Sequence, residues 1–318
     1  MQNTNTILMI RPVNFRFNEQ TAENNYYQVG LENLTATEIN EKAQKEFDDF
    51  VEKLRAKTID VVVVDDTKTT DTPDSIFPNN WFSMHENGDV VLYPMNAPNR
   101  RLERRMDIFE QLKKKHGFFV GEIRDMTHYE EKNMFLEGTG SLVLDRTNKI
   151  AYACISERTN AQLLQEWCAA LGYTACSFSA FQTVKKQRLP IYHTNVMLSV
   201  YDACAVVCLD SIDDEAERQN LVDSLQKTGK KIIEISESQA NQFAGNTLQV
   251  VGKNGKKYAV MSQQAYQAFG AEELVELWGM SEIIESPLTV IETCGGGSAR
   301  CMMAEVFLPK SPVAKSPS

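Results

Sequence analysis

Three side chains suited to covalent chemistry stand beside glycine turns or strand ends in this 318-residue chain. Cys301 ends the cluster Cys294-Gly295-Gly296-Gly297-Ser298-Ala299-Arg300-Cys301 and is followed by the apolar stretch Met302-Met303-Ala304 and then Val306-Phe307-Leu308. Glycines let the backbone turn tightly and bring main-chain N–H groups close to a ligand. A thiol at the mouth of such a turn, leading into a buried strand, is held rigidly yet reachable from a cleft, and the neighbouring Arg300 would favour its thiolate. A buried structural cysteine fits the same pattern. Glu137 lies in Phe135-Leu136-Glu137-Gly138-Thr139-Gly140-Ser141. A plain hairpin explains those glycines but not an acid after two apolar residues. His193, in Ile191-Tyr192-His193-Thr194-Asn195-Val196, sits at the lip of an apolar strand, where a satisfied structural imidazole is the alternative to a base. Together the three supply a thiol, a base and an acid, enough for a Cys–His–carboxylate site if the fold joins them.

Other segments stand out less sharply. Pro73-Asp74-Ser75-Ile76-Phe77-Pro78-Asn79-Asn80-Trp81-Phe82 crowds an acid, two amides and large aromatics into a turn, which also reads as a Pro/Asn turn with aromatic anchors. Ser156-Glu157-Arg158-Thr159-Asn160 precedes a helix and reads as an N-cap at Thr159 or Asn160 with Arg158 on the surface. The stretch Arg100 to Arg105 alternates with acid and reads as a solvated helix start. The polar segment 11–35, with Arg11, Asn14, Phe17 and Asn24, is a candidate lid.

The elements that must position these groups alternate. Strand-like runs at 6–10, 60–64, 90–93, 117–123, 141–145, 150–154, 196–200, 203–209, 231–235, 247–251, 258–261, 289–291 and 304–308 are separated by helical patterns. The helices fall at 37–56, 104–114, 161–171, 214–227, 238–243, 264–269 and 271–278. Paired strands followed by one helix recur, and a ββαβ unit of about 60 residues gives on the order of five copies. No sequence repeat supports this, so it rests on element order. No linker interrupts 1–310, which reads as a single α/β catalytic domain; 311–318 is Pro/Ser-rich and expected to fray.

Composition excludes several classes. Hydrophobic residues at 42% and charged residues at 24% describe an ordinary globular protein. A net charge of −10 argues against a nucleic-acid surface. No run approaches a membrane span, and the start of the chain lacks a signal-peptide pattern. Seven scattered cysteines argue against a disulfide framework, so the cytoplasm is the default. The glycine cluster is no phosphate loop, and the four histidines lack metal-ligand spacing, so neither cofactor nor metal is expected. Nothing in the sequence fixes an oligomeric state.

The order Pro-Asp-x-x-Phe-x-x-Asn, Arg-Arg-x-Glu, Leu-Glu-Gly-x-Gly, Ser-x-Arg-Thr-Asn, His, and glycine cluster then Cys resembles the guanidino-group-modifying (pentein) superfamily of arginine deiminases, dimethylargininases and amidinotransferases. It is most similar to the bacterial citrulline-utilization hydrolase group. The likeness runs from about Arg11 to Leu308. It implies a five-bladed α/β propeller of ββαβ modules with the site in a central channel. It also implies Cys301 as nucleophile, His193 as general acid/base and Glu137 as the carboxylate orienting it. Asp74 would contact substrate, and Arg100 and Arg158 would grip a small amino acid's α-carboxylate. Two positions depart from the pattern: Asn80 and Asn195 stand where related enzymes have acids. A buried guanidinium needs carboxylates, whereas a neutral ureido group needs matched donors and acceptors. The departures therefore point to citrulline ahead of arginine or a methylated arginine. An amidinotransferase, an arginine deiminase or dimethylargininase, and a catalytically silent binding protein are the alternatives.

Overall fold

The computed structural model describes residues 1–311; the tail expected over 311–318 lies, apart from Ser311, outside the described residues. Strand β1 (Thr6–Arg11) runs parallel to β2 (Asp60–Asp65). Five of the six residues of β1 are buried, which explains why it reads as an unbroken apolar run rather than an alternating one. The helix Ala36–Ala56 carries the chain between them. It starts at a capping box in which Thr35 and Glu38 satisfy each other's backbone N–H groups. Ile39, Ala43, Phe47, Phe50, Val51 and Leu54 recur at three- and four-residue intervals, so one stripe of the helix is buried in the core. Truncating Phe47 to Ala in that stripe would cost about 3–5 kcal/mol.

The same arrangement recurs. β3 (Phe82–Met84), β4 (Val90–Leu92) and β5 (Ile123–Asp125) form one three-stranded sheet; β6 (Val143–Asp145), β7 (Ile150–Cys154) and β8 (Thr174–Phe178) form the next. A separate hairpin, β9 (Phe181–Val184) with β10 (Gln187–Pro190), follows. Its turn residues Lys185 and Lys186 both have positive φ, as a two-residue hairpin turn demands. Then come β11 (Leu198–Val200), β12 (Cys204–Val207) and β13 (Lys231–Glu234), and β14 (Leu248–Val251), β15 (Lys257–Ser262) and β16 (Glu282–Ser286). Finally β17 (Ala304–Glu305) returns to pair antiparallel with β1. In each of these five mixed sheets the leading strand is antiparallel to the second, and the second is parallel to the third across a helical crossover. The leading strands β3, β6, β11, β14 and β17 lie inward: β17 packs beside β3, and β11 lies between β6 and β14.

Most expected elements are present, with informative differences. Residues 289–291, expected as a strand, open the helix Thr289–Gly295. The Glu46 carboxylate, from the helix Ala36–Ala56, accepts N–H bonds from Val290 and Ile291 and so caps a helix start that local propensity does not favour. The strand expected over 117–123 is reduced to β5, because Gly117 ends the helix Asp107–His116 in a left-handed conformation. Strands β3, β8, β9, β10 and β16 were not anticipated; β3 is only three residues long and lies within an aromatic turn segment.

Candidate active site

Each leading strand is preceded by a tight turn, and each turn delivers polar side chains to one place. A 3₁₀ turn at Pro78–Asn80 precedes β3, and a short helix at Gly138–Ser141, entered from Glu137, precedes β6. A 3₁₀ turn at Thr194–Val196, entered from His193, precedes β11. The turn ending at Gly245 places Asn246 before β14, and the turn after Ser298 places Cys301 before β17. These turns interleave through glycine. A Cβ on Gly140 would fall 2.4 Å from Asn80 Nδ2 and 2.8 Å from the His193 ring. One on Gly245 would fall 2.4 Å from the Val196 carbonyl oxygen. Any larger residue would drive the turns apart.

The imidazole and carboxylate arms meet directly, and the turn of His193 reaches the thiol through Asn195. His193 Nε2 lies 2.7 Å from Glu137 Oε2, and both side chains are buried. The other carboxylate oxygen, Glu137 Oε1, accepts the Asn96 backbone N–H at 2.9 Å. Asn195, two residues beyond His193, places its Nδ2 3.6 Å from Cys301 Sγ. Asn246 Nδ2 comes closer, 3.2 Å from the sulfur, while its Oδ1 accepts the Arg300 backbone N–H at 3.1 Å. The nucleophile candidate is thus flanked by two amides.

Protonation follows from burial and neighbours. Burial raises the Cys301 thiol above its ordinary pKa, and the Ser298 backbone, Asn246 and Arg300 offset only part of that. The expected help from Arg300 is small because its guanidinium turns away, donating to Met303 O and Glu305. His193 is pushed down to about 4, first by burial, against the pull of Glu137. Burial also opposes the Glu137 charge, but Arg158, His193 and Arg100 outweigh it and hold the carboxyl at about 2. At neutral pH the resting set is thiol, neutral imidazole and carboxylate. An imidazole in that state accepts the thiol proton when substrate arrives.

The substrate-facing residues divide. Asp74 is buried, and its Oδ2 accepts from Asn18 Nδ2 at 2.7 Å and Thr21 Oγ1 at 3.1 Å. Asp74 Oδ1, both polar atoms of Asn79, and Asn80 Nδ2 are buried without a hydrogen-bond partner among the described residues. Arg100 is not on a solvated helix start. Its guanidinium is enclosed, forking onto Glu103 at 2.9 and 3.0 Å and donating to Asn80 Oδ1 at 2.7 Å and Phe77 O at 3.1 Å. Those bonds occupy the donors expected to grip a substrate carboxylate. Sequence reading missed this because Asn80 and Phe77, which enclose the guanidinium beside Glu103, come from another turn. Arg158 is likewise buried rather than on the surface, while Asn160 caps the following helix. Arg158 donates to Thr21 O at 3.0 Å and to Asn24 Oδ1, and its Nη1 is held only by a 3.6 Å approach to Glu137.

From the segment expected as a lid, residues 18–28 strap the site. Besides Asn18, Thr21 and Asn24, Asn25 Nδ2 donates to Gly295 O at 3.3 Å and Gln28 Nε2 to Cys294 O at 3.0 Å. Arg11 instead pairs with Asp48 at 2.8 Å, away from the site. Cys301 itself is 4% exposed. Among the described residues no cluster of three or more His, Cys, Asp or Glu could hold a metal, and no helix is long and apolar enough to cross a membrane. Asn246 escaped the sequence reading, although Gly245-Asn246 before a strand repeats the glycine-turn pattern of the other arms.

Solved structures share this fold. ArgZ, an arginine dihydrolase from the ornithine-ammonia cycle in cyanobacteria, matches with a TM-score of 0.71 and 18% identity. That match covers 96% of this chain but only 41% of ArgZ, so the chain spans less than half of that protein. The product-bound N-terminal domain of ArgZ alone gives a TM-score of 0.68 at 18% identity, covering 96% of this chain and 99% of the domain. A dimethylarginine dimethylaminohydrolase, as its adduct with 4-chloro-2-hydroxymethylpyridine, gives 0.61 at 17% identity over 95% and 99%. No functionally curated protein matches the chain in sequence. The profile of the family described as N,N dimethylarginine dimethylhydrolase, eukaryotic, matches residues 11–308. The chain therefore belongs to this family, within the guanidino-group-modifying (pentein) superfamily.

Proposed function

We propose that the chain is a cysteine-dependent hydrolase of the ureido group of citrulline, working as one five-bladed α/β propeller over residues 1–310 in the cytoplasm. The observation that carries the substrate assignment is the neutral, donor-rich lining: Asn195 and Asn246 flank the sulfur, and Asn79 and Asn80 hold unfilled amide valences. Unpaired buried polar atoms are costly, and a ureido group with one acceptor and N–H donors on both nitrogens would fill them. Asp74 Oδ1 is the acceptor left for a substrate N–H. Arg158 is the arginine with donor capacity left for the α-carboxylate; Arg100 acts through Asn80, whose Oδ1 it holds so that Nδ2 is aimed.

In the first step His193 takes the Cys301 proton as sulfur attacks the ureido carbon. The C–N bond then breaks, and His193 returns that proton to the departing nitrogen, leaving a thiocarbamate on Cys301. In the second step His193 takes a proton from water, whose oxygen attacks the same carbon. The C–S bond breaks, the thiol is re-formed, and the released carbamate decomposes to an amine and carbon dioxide. Glu137 keeps the imidazole oriented and stabilises its cationic form during each transfer. Arginine is the second substrate, because Asp74 and Glu137 still offer carboxylates to a guanidinium.

The test is a product screen with citrulline, arginine, dimethylarginine and agmatine in water. Ornithine and ammonia should form from citrulline without any acceptor amine, and from arginine more slowly. Methylamine release from dimethylarginine with citrulline inert would reject the citrulline reading. An absolute need for an acceptor amine would reassign the chain as an amidinotransferase.

A further inference from the structure

The leading strands run from the site turns toward a second, cationic region at their other ends. Arg146, which follows β6, and Arg300 are both more than nine-tenths buried. They share one carboxylate: Glu305 Oε2 is 2.9 Å from Arg300 Nη2 and 3.6 Å from Arg146 Nη2. Arg300 also donates to Met303 O at 2.9 Å, whereas the Arg146 guanidinium stacks 4.0 Å from the Phe307 ring centroid. Arg146 lines two cavities: one of about 20 Å³ shared with Arg300 and Glu305, and one of about 280 Å³, here the outer cavity, shared with His85 and Lys149.

Lys149 lines the outer cavity too. Its ammonium lies 4.6 Å from the Tyr173 ring centroid and, among the described residues, has no carboxylate within 4 Å. The two acids on this cavity pair with groups other than Arg146 and Lys149, Asp89 with Arg124 of the same cavity wall. Glu86 holds the amino terminus at 2.6 Å, and Asp89 holds Arg124 at 2.9 Å. A buried cation with only a shared counter-charge is costly until an anion completes it. A flat guanidinium stacked on an aromatic ring presents paired N–H donors in one plane, which suits two coplanar oxygens.

We infer that the outer cavity binds a small planar oxyanion, a carboxylate or bicarbonate, between Arg146 and Lys149. This site is separate from the Cys301 chamber, and its occupancy does not depend on which substrate the chamber takes. Thermal unfolding of the full chain in sodium acetate or sodium bicarbonate, against sodium chloride at equal ionic strength and pH, tests it. At roughly ten times its dissociation constant the bound oxyanion should raise Tm by about 2 °C beyond chloride. A shift with acetate alone assigns a carboxylate ligand; one with bicarbonate alone assigns a carbonate. Arg146→Met should abolish the shift. Arg146→Lys keeps the charge without the fork and should weaken binding at least about tenfold, which decides the matter if the Met variant does not fold. A chloride response as large as the oxyanion response, or an undiminished shift in either variant, overturns the site.

Discussion

The two ends of the leading strands are built on opposite electrostatic plans. At the turn end the arginines are held mainly by groups of the protein itself: Arg100 by Glu103 and Asn80, and Arg158 by Asn24 and Thr21, with its Nη1 left at 3.6 Å from Glu137. Among the described residues the unfilled valences there belong to Asn79, Asn80 Nδ2, Asp74 Oδ1 and the hydroxyls of Ser75 and Thr159. At the far end Arg146 and Arg300 divide one carboxylate and Lys149 has none nearby. The difference teaches that the charged groups of the turn end act mainly to hold neutral donors and acceptors in place. The cations with the least counter-charge sit away from the amides that flank Cys301.

The comparison breaks most visibly at the sulfur. Cys301→Ser should lower kcat by about 10⁴-fold or more and abolish any substrate-derived mass on the protein, whereas Cys294→Ser should retain the adduct. An adduct mapped to Cys294 would move the nucleophile. Next, Glu137→Gln should reduce kcat about 10²–10³-fold while leaving KM within a few-fold, because it withdraws the charge that stabilises imidazolium. A change confined to KM would make Glu137 a binding group only. Asn246→Ala should slow both turnover and iodoacetamide labelling of Cys301 about tenfold, since it removes the closest N–H donor to the sulfur. Unchanged labelling would reduce Asn246 to a packing role.

Asn80→Asp sharpens the contrast by adding a carboxylate to the amide-lined end. It should shift the ratio of kcat/KM for arginine over citrulline upward about tenfold. A ratio that stays put would remove Asn80 from substrate discrimination.

The smallest effect compares two buried histidines. His193 has a carboxylate partner; His85, on the outer cavity of the far end, has Ser83 at 2.9 Å and is pushed down to about 3 by burial and by Arg146 and Lys149. A histidine with a lowered folded-state pKa stays neutral while the unfolded chain protonates. The stability it confers is complete above about pH 6.5 and is lost as pH falls toward the folded value. Each residue should remove about 3 kcal/mol by pH 4. Urea titrations of His85→Gln should therefore show about 3 kcal/mol less loss of stability than the parent between pH 6.5 and 4; an identical pH dependence would exclude His85 as a source.

Much of the site is legible in the sequence because its residues violate local expectation. Glu137 follows two apolar residues, His193 enters an apolar strand, and Cys301 closes a glycine cluster. Each is a polar group where burial alone would select an apolar one. Asn246 lacks that contrast: Ala244-Gly245-Asn246-Thr247 reads as an ordinary turn, and its meaning depends on aligning it with the four other turns. Arg100 and Arg158 are visible as arginines but not as buried ones, since Asn80 and Phe77, which enclose Arg100 beside its neighbour Glu103, and the partners of Arg158 lie 20 or more positions away in sequence. The helix Thr289–Gly295 fails for the same reason, its cap Glu46 being more than 240 positions upstream. Local chemistry is written locally, whereas counter-charges and caps are settled only by tertiary neighbours.

The pairing of β17 with β1 orders events during synthesis. Ile7 faces Glu305 and Leu8 faces Ala304 across nearly the full chain, and the turn bearing Cys301 leads directly into that last strand. Four arms of the chamber are translated well before the fifth, so a ribosome-bound fragment holds imidazole and carboxylate without sulfur. The proposed thiol chemistry therefore waits on the closure of β17 against β1, so it should appear only after that non-local pairing has formed.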